Sequence, residues 1–183
     1  MSTTKAYDYL NRLLEISSQP SAAGERALAH GYAHNDANQR AKVVHSDGTY
    51  WLYEYDELGQ LIRGKRYWSD GTPVAGQQHE YGFDDIGNRI STRAGGDESG
   101  AGLRQATYTV NSLNQYSGRT VPGAVDVMGI AHAQAEVKVN GADAYRRGEY
   151  YRHELSMVNT GGLVWAAVTN TAVYQGSDHK GHI

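Results

Sequence analysis

The first two-thirds of the chain alternates short aromatic-rich runs with polar turns. In the run 51–55 (WLYEY) every second residue is aromatic, and because side chains alternate along a strand, Trp51, Tyr53 and Tyr55 are expected on one face. Aromatic residues favour such a half-buried pleated surface. Asp56 ends this run, Gly59 follows three residues later, and a second run begins at Leu61. The pattern predicts two antiparallel strands joined by a tight turn.

The same pattern recurs, with Asp or Asn at the first turn position and Gly or Asn three residues later. The first side chain can hydrogen-bond its own backbone two residues on. Gly and Asn tolerate the left-handed conformation that closes a three-residue hairpin loop with a bulge. The first positions are separated by 27, 21, 28 and 27 residues, a period that predicts a stacked repeat architecture. The predicted structural turn residues are Asp8 and Asn11, Asn35 and Asn38, Asp56 and Gly59, Asp84 and Gly87, and Asn111 and Asn114.

This pattern resembles that of the YD-repeat (Rhs) family, which is named for its Tyr-Asp dipeptide. The dipeptide stands here at Tyr7-Asp8 and Tyr55-Asp56, with Phe83-Asp84 as a near match, and the resemblance covers roughly residues 5 to 117. It implies a β-hairpin array that coils into a large hollow shell in bacterial surface and toxin-delivery proteins. Family shells contain many more repeats, and residues after 118 lack the family's Pro-rich cap with its paired-Asp self-cleaving site. The resemblance therefore implies a piece of a shell or a shortened relative.

The Tyr-x-x-Asp spacing stops near Gly118, and a different pattern follows. Residues 135–139 alternate like a strand, and Asn140-Gly141 is a typical hairpin turn. Tyr145 and the runs 149–155 and 163–168 are further candidate strands. We predict a mainly β chain, with a YD-repeat antiparallel β-hairpin array over 1–117 and a small β-sandwich-like region over 118–175. A polar, disordered tail is predicted over 176–183.

Composition narrows the function classes. Seventeen basic and 20 acidic residues without a clustered basic stretch disfavour nucleic-acid binding. The absence of cysteine excludes disulfides, thiolate zinc sites and a cysteine nucleophile. No run approaches the roughly 18 apolar residues of a membrane span. The first residues lack the apolar core of a secretory signal, so the chain as written is expected in the cytoplasm, although the family it resembles is typically secreted or at the cell surface.

Two acidic pairs are candidate metal sites. The pairs Asp84-Asp85 and Asp97-Glu98 lie next to glycines and offer carboxylate oxygens of the kind that calcium prefers. Neither pair matches a twelve-residue calcium loop, and capping of the turn backbone is the favoured interpretation of the turn acids. His30 and His34 have the spacing of helical metal ligands, but the repeat places His34 on a strand as a packed ring.

The aromatic residues suggest a binding role. Trp51, Trp68 and Trp165 are candidates for stacking on sugars, although packing between repeats is the favoured interpretation in a tyrosine-rich hairpin array. We expect a structural or binding module that presents an aromatic-rich β surface to a protein or glycan partner. Unpaired strand edges predict a homo-oligomer. The alternative is a metal-assisted hydrolase of small esters or lactones, with water polarised by a metal held on Asp84, Asp85, Asp97 or Glu98.

Overall fold

The structure is a computed structural model and describes residues 1–22, 24–159, 161–176 and 179–182. The described residues form strands and no helix, which confirms the prediction of a mainly β chain with a hairpin array followed by a small β region. The chain divides into two compact units, Met1–Arg119 and Thr120–Ile183. No helix in the described part of the chain is long and apolar enough to cross a membrane.

The first unit is one antiparallel sheet of ten strands that lie in sequence order. Aromatic and β-branched residues recur through the central strands, as such a pleated surface favours. The strands are β1 Ser2–Tyr7, β2 Leu13–Gln19, β3 Leu28–His34, β4 Arg40–His45, β5 Tyr50–Tyr55, β6 Leu61–Tyr67, β7 Pro73–Phe83, β8 Arg89–Gly95, β9 Leu103–Val110 and β10 Tyr116–Arg119. Because every neighbouring pair is antiparallel, the loops after β1, β3, β5, β7 and β9 all lie at the same ends of the strands. We call these ends the turn side.

Burial is concentrated in the middle of this sheet. Val43, Val74 and Ala106 are buried, whereas every residue of the outer strands β1 and β10 is exposed. Gln78 is also buried, and its Nε2 donates to the carbonyl oxygens of Arg66 at 2.7 Å and Val74 at 3.2 Å. Those carbonyls border the point where the register between β6 and β7 shifts. The Gln78 side chain thus provides a hydrogen-bond donor for two carbonyl oxygens at the place where the regular pairing of β6 with β7 is interrupted.

The second unit contains two small antiparallel sheets, with strand orders β11-β15-β14 and β13-β12-β16-β17. Its core is built on Val137, Val139 and Tyr151. The strands are β11 Ala124–Ile130, β12 Glu136–Val139, β13 Ala142–Asp143, β14 Tyr145–Arg147, β15 Tyr150–Ser156, β16 Asn170–Gly176 and β17 His179–His182.

A single arginine holds the loop that leads into β12. The guanidinium of Arg146 donates to the carbonyl oxygens of Ala135 at 2.5 Å, His132 at 3.0 Å and Gly148 at 2.9 Å, and to that of Ala131 at 3.3 Å. The bonds to Ala135 and Ala131 are partly buried, where a carbonyl oxygen needs a donor in place of water. The loop 131–135 is therefore tied to strand β14 by one side chain.

Two predictions for the second unit differ from the structure. The run 163–168 was expected to be a strand, but it has no regular structure, and Trp165 within it is 90% exposed. The strand begins later, at Asn170, where β16 pairs with β12. Just before it, the Thr169 N–H donates to Asn140 Oδ1 at 2.8 Å, and this bond holds the chain beside β12. The tail was expected to be disordered, whereas His179–His182 forms β17 along the free side of β16.

Candidate functional site

The turn that follows β5 shows how the repeated turns are built. The Asp56 N–H donates to the Gln60 carbonyl, and the Gly59 N–H donates to the Asp56 carbonyl, both at 3.0 Å. Asp56 Oδ1 accepts the N–H groups of Leu58 at 3.0 Å and Gln60 at 2.8 Å. Gly59 has a φ of 81°, in the left-handed region that glycine enters without steric cost. The acid and the glycine therefore determine this loop together.

Five turns on the turn side share this backbone. Asp8, Asp84 and Asn111 accept two N–H groups through Oδ1 as Asp56 does, and Asn35 Oδ1 accepts the N–H of Gln39. Positive φ recurs at the fourth position, with values of 62° at Asn11, 65° at Asn38, 90° at Gly87 and 60° at Asn114. Asparagine tolerates this conformation better than other residues with a Cβ. The structure thus places the ten predicted turn residues in equivalent positions at one side of the sheet.

A sixth turn of the same form lies on the opposite side, between β8 and β9. Asp97 N–H donates to the Ala101 carbonyl, and Asp97 Oδ1 accepts the N–H groups of Ser99 and Ala101 and the Ser99 hydroxyl. Gly100 supplies the positive φ, 81°. Sequence reasoning did not identify this turn because no aromatic strand precedes it. Its Asp-x-x-Gly spacing was the available signal.

The four acids proposed for metal binding do not form one site. Asp84 and Asp85 lie in the loop before β8, and Asp97 and Glu98 lie in the loop after it, so the length of β8, roughly 20 Å at about 3.3 Å per residue, separates the pairs. A hydrogen bond from the Asn88 side chain, with bonds from the backbone, lowers the pKa of Asp84 below its ordinary value. Among the described residues, no three His, Asp or Glu side chains are grouped to hold a metal ion. Calcium binding and hydrolysis remain predictions.

One face of the sheet carries a ladder of alternating charges. Glu54, Arg63, Glu80 and Arg93 stand opposite one another in strands β5 to β8. Arg63 Nη1 lies 2.9 Å from Glu54 Oε2, and Arg93 Nη1 lies 3.3 Å from Glu80 Oε2. Lys65 Nζ, 2.7 Å from Glu80 Oε1, donates the hydrogen bond that chiefly lowers the pKa of Glu80. We call this the charged face.

The opposite face carries rings, and we call it the aromatic face. The Trp51 ring stacks beside Tyr53, with centroids 6.2 Å apart, and beside His79 at 6.0 Å. Opposing residues point to the same side of a sheet, so the strand register assigns further rings to this face. Its aromatic and histidine residues are His30, Tyr32, His45, Trp51, Tyr53, His79, Tyr81 and Tyr108.

Three arginines lie over tyrosine rings of the aromatic face. The guanidinium carbon lies 4.4 Å from the ring centroid for Arg40 over Tyr32 and 5.2 Å for Arg89 over Tyr81. For Arg119 over Tyr108 the distance is 5.4 Å. A cation at this distance from a ring face is attracted by the ring quadrupole. Sequence reasoning did not identify these pairs, although the first two share an eight-residue spacing across the turn.

A histidine pair lies on the same face near the connecting loop 45–49. The Nδ1 atoms of His30 and His45 are 3.0 Å apart, so one ring must be neutral at its nitrogen to accept the bond. Burial, followed by the positive charges of Arg66 and His30, lowers the pKa of His45. Arg66 itself is held by Thr49 Oγ1 at 2.7 Å and lies 3.6 Å from Asp47 Oδ2. The neutral form of His45 is thus the one that the folded sheet favours.

The three tryptophans do not form one platform in a single unit. Trp51 lies on the aromatic face, and Trp68 begins the loop between β6 and β7, where its backbone N–H donates to the Thr72 carbonyl at 2.8 Å. Trp165 belongs to the second unit and is exposed. Stacking of a glycan on these rings remains a prediction.

Repeated Asx turns on a single meandering sheet define a β-hairpin repeat protein. No family model and no curated protein matches the chain. Solved structures of toxin complexes are similar to it. TcdB2-TccC3-Cdc42 matches with a TM-score of 0.54 and 16% identity, over 96% of this chain and 9% of that one.

Two further toxin structures give the same result. TcdB2-TccC3 without its hypervariable C-terminal region has a TM-score of 0.51 and 21% identity, covering 70% of this chain and 6% of that one. The Photorhabdus luminescens Tc holotoxin pore with a mutated TccC3 has a TM-score of 0.51 and 21% identity, covering 73% and 6%. The chain therefore spans less than a tenth of these neighbours. At such identities the likeness is one of fold, a β-hairpin array of the kind found in these toxin components.

Proposed function

We propose that the chain is a structural and binding module of the toxin-delivery type, which presents its aromatic face to a protein partner and assembles through its strand edges. The observation that carries this proposal is the single-layer sheet. Within the described residues of the first unit, no second sheet or helix covers the aromatic face. A large one-sided aromatic surface of this kind is typical of interaction sites.

The outer strands supply the second part of the proposal. All six residues of β1 and all four of β10 are exposed, and each of these strands pairs on one side only within its sheet. An exposed strand edge is a template for pairing with another chain. A β1 strand from a second copy, placed antiparallel beside β10, would preserve the alternation of strand directions and keep the turn-side loops of both copies on the same side.

Sedimentation of the whole chain at tens of micromolar tests the assembly. We expect a dimer or larger species for the unaltered chain and a monomer for the double variant Thr4→Lys and Ser117→Lys, because charged side chains on edge strands oppose pairing. The matched control is Leu52→Lys with Gln105→Lys, two exposed positions in inner strands, and it should assemble as the unaltered chain does. A monomeric unaltered chain without aggregation would contradict the proposal.

A further inference from the structure

We infer that the aromatic face binds an extended acidic polypeptide, with its carboxylates on the guanidinium groups of Arg40, Arg89 and Arg119 and its apolar side chains on the rings between them. This inference rests on the proposed function and names the chemistry of the protein partner. Its support is the way in which charge is divided between the two faces of the sheet.

The acids of the strands all point away from the aromatic face. Strands β1 to β10 contain three acidic residues, Glu15, Glu54 and Glu80. The register places Glu54 and Glu80 in the charged ladder. Glu15 lies opposite Gly31, Gly31 opposite Val44, and Val44 opposite Tyr50. Tyr50 shares the charged face with Glu54, because residues four apart in a strand point to the same side. A loop acid, Asp47, lies 3.6 Å from Arg66 of the aromatic face.

Cations remain on the aromatic face without acids in the same strands to neutralise them. Arg40, Arg89 and Arg119 lie over its tyrosines, and Arg66 stands opposite Trp51. Lys5 stands opposite Ile16, in the row that continues to His30. None of the three ring-stacked arginines forms an ion pair with a carboxylate among the described residues. The chain has a net charge of −3, so the positive character of this face comes from segregation and not from composition.

The positions of the three arginines match an extended chain. Arg40 and Arg89 are the first residues of β4 and β8, directly after their turn-side loops. Arg119 lies in β10, opposite Tyr108 of β9. With strands about 4.8 Å apart, four spacings separate Arg40 from Arg89 by roughly 19 Å, and two separate Arg89 from Arg119 by roughly 10 Å. A polypeptide that crosses the strands at about 3.3 Å per residue spans this distance in about nine residues.

The chemistry of each contact favours carboxylate. A guanidinium has five N–H donors in a planar fork, and such a fork binds a carboxylate through two parallel hydrogen bonds. Arg89 also hydrogen-bonds the Tyr108 side chain, which uses part of its donor set. Trp51 and Tyr53 lie between Arg40 and Arg89 in the strand order, and they offer apolar surface to the side chains between the carboxylates. A glycan or a nucleic acid carries its charges at a different spacing along the chain, so it should match these three cations less well than an acidic polypeptide.

Binding of labelled deca-glutamate to the whole chain, followed by fluorescence anisotropy at low salt, tests the inference. The altered protein removes the three ring-stacked charges, and the control removes three charges from the charged face in strands β4, β6 and β8. The two triple variants are Arg40→Gln, Arg89→Gln and Arg119→Gln, and Lys42→Gln, Arg63→Gln and Arg93→Gln. We expect the first triple to weaken binding by about tenfold or more, as three exposed ion pairs provide, and the control to bind within about twofold of the unaltered chain.

Further ligands separate the possible partner classes. Penta-glutamate should bind at least about tenfold more weakly than the decamer, since it reaches only two of the arginines. Oligothymidylate and oligogalacturonate of ten units should both bind more weakly than deca-glutamate, and tighter binding of either would overturn the assignment to a polypeptide.

Equal losses in both triples would show that net charge alone drives binding, and this result, or no binding by the unaltered chain, would overturn the inference. Sedimentation of the same samples reports edge assembly separately, so failure here leaves the proposed function to its own test.

Discussion

Replacement of Gly59 by alanine should destabilise the sheet by a predictable amount. Gly59 has a φ of 81°, and a residue with a Cβ costs about 1–2 kcal/mol in the left-handed region. An added Cβ would lie 3.0 Å from Gln39 Nε2, the movable end of a flexible side chain, so the contact adds little. We expect Gly59→Ala to lower the free energy of unfolding of the first unit by about 1–2 kcal/mol. Gly59→Asn should cost less than half of that, because asparagine occupies the equivalent place in three other turns.

Urea unfolding followed by tryptophan fluorescence measures this difference. A Trp165→Phe background removes the signal of the second unit and leaves Trp51 and Trp68 as reporters of the first. Gly31→Ala is the control, because Gly31 has no positive φ and a Cβ there would lie 4.0 Å from the backbone oxygen of Leu14, an ordinary contact distance. We expect the control to change stability by less than about 0.5 kcal/mol. Equal losses for alanine at both sites, or for asparagine and alanine at Gly59, would refute the turn argument.

Three other changes test further parts of the structure. Asp97→Ala should cost about 1–2 kcal/mol in urea unfolding, because two backbone N–H groups lose their acceptor, whereas Glu98→Ala should stay within about 0.5 kcal/mol. Arg146→Met should remove a side-chain donor from four carbonyl oxygens, of which that of His132 keeps the Ala135 N–H, and speed hydrogen exchange in residues 131–139, while exchange in the first unit stays unchanged. Since burial and then the charge of Arg66 lower the pKa of His45 in the fold, the unfolded chain binds the proton first. Thermal stability should therefore fall as the pH decreases through about 6.5, the ordinary pKa of histidine, and His45→Gln should flatten that fall; a dependence unchanged by the substitution would contradict it.

The hairpin array was predictable because its signals are local. Asp56 and Gly59 set one loop by their own hydrogen bonds and φ, and neither depends on a distant contact. The same holds at the other four turns, so the regular spacing of the turns was enough to predict an antiparallel β-hairpin array. Asp97 builds an equivalent loop, but the strand before it lacks the aromatic signature on which the repeat was recognised.

The aromatic face was less predictable because each of the five turn-side hairpins contains a register shift beside its turn. The register shift between Glu54 and Tyr55 interrupts the alternation of side chains just before Asp56. The rule that every second residue shares a face therefore does not hold across it. Arg40 and Arg89 follow the turns of shifted hairpins, and their positions over tyrosines depend on pairing that the sequence does not state. In the second unit, the apolar run 163–168 has strand propensity, but β16 lies further along the chain.

Solution NMR of the isotopically labelled chain tests the central claim most directly. If hairpin repeats build one sheet with segregated faces, cross-strand contacts between backbone protons should connect Glu54 with Arg63, Arg63 with Glu80, and Glu80 with Arg93, in the register of strands β5 to β8. Contacts between residues three apart along 50–95, as in a helix, or pairing in which Glu80 and Arg93 fall on different faces, would contradict the account.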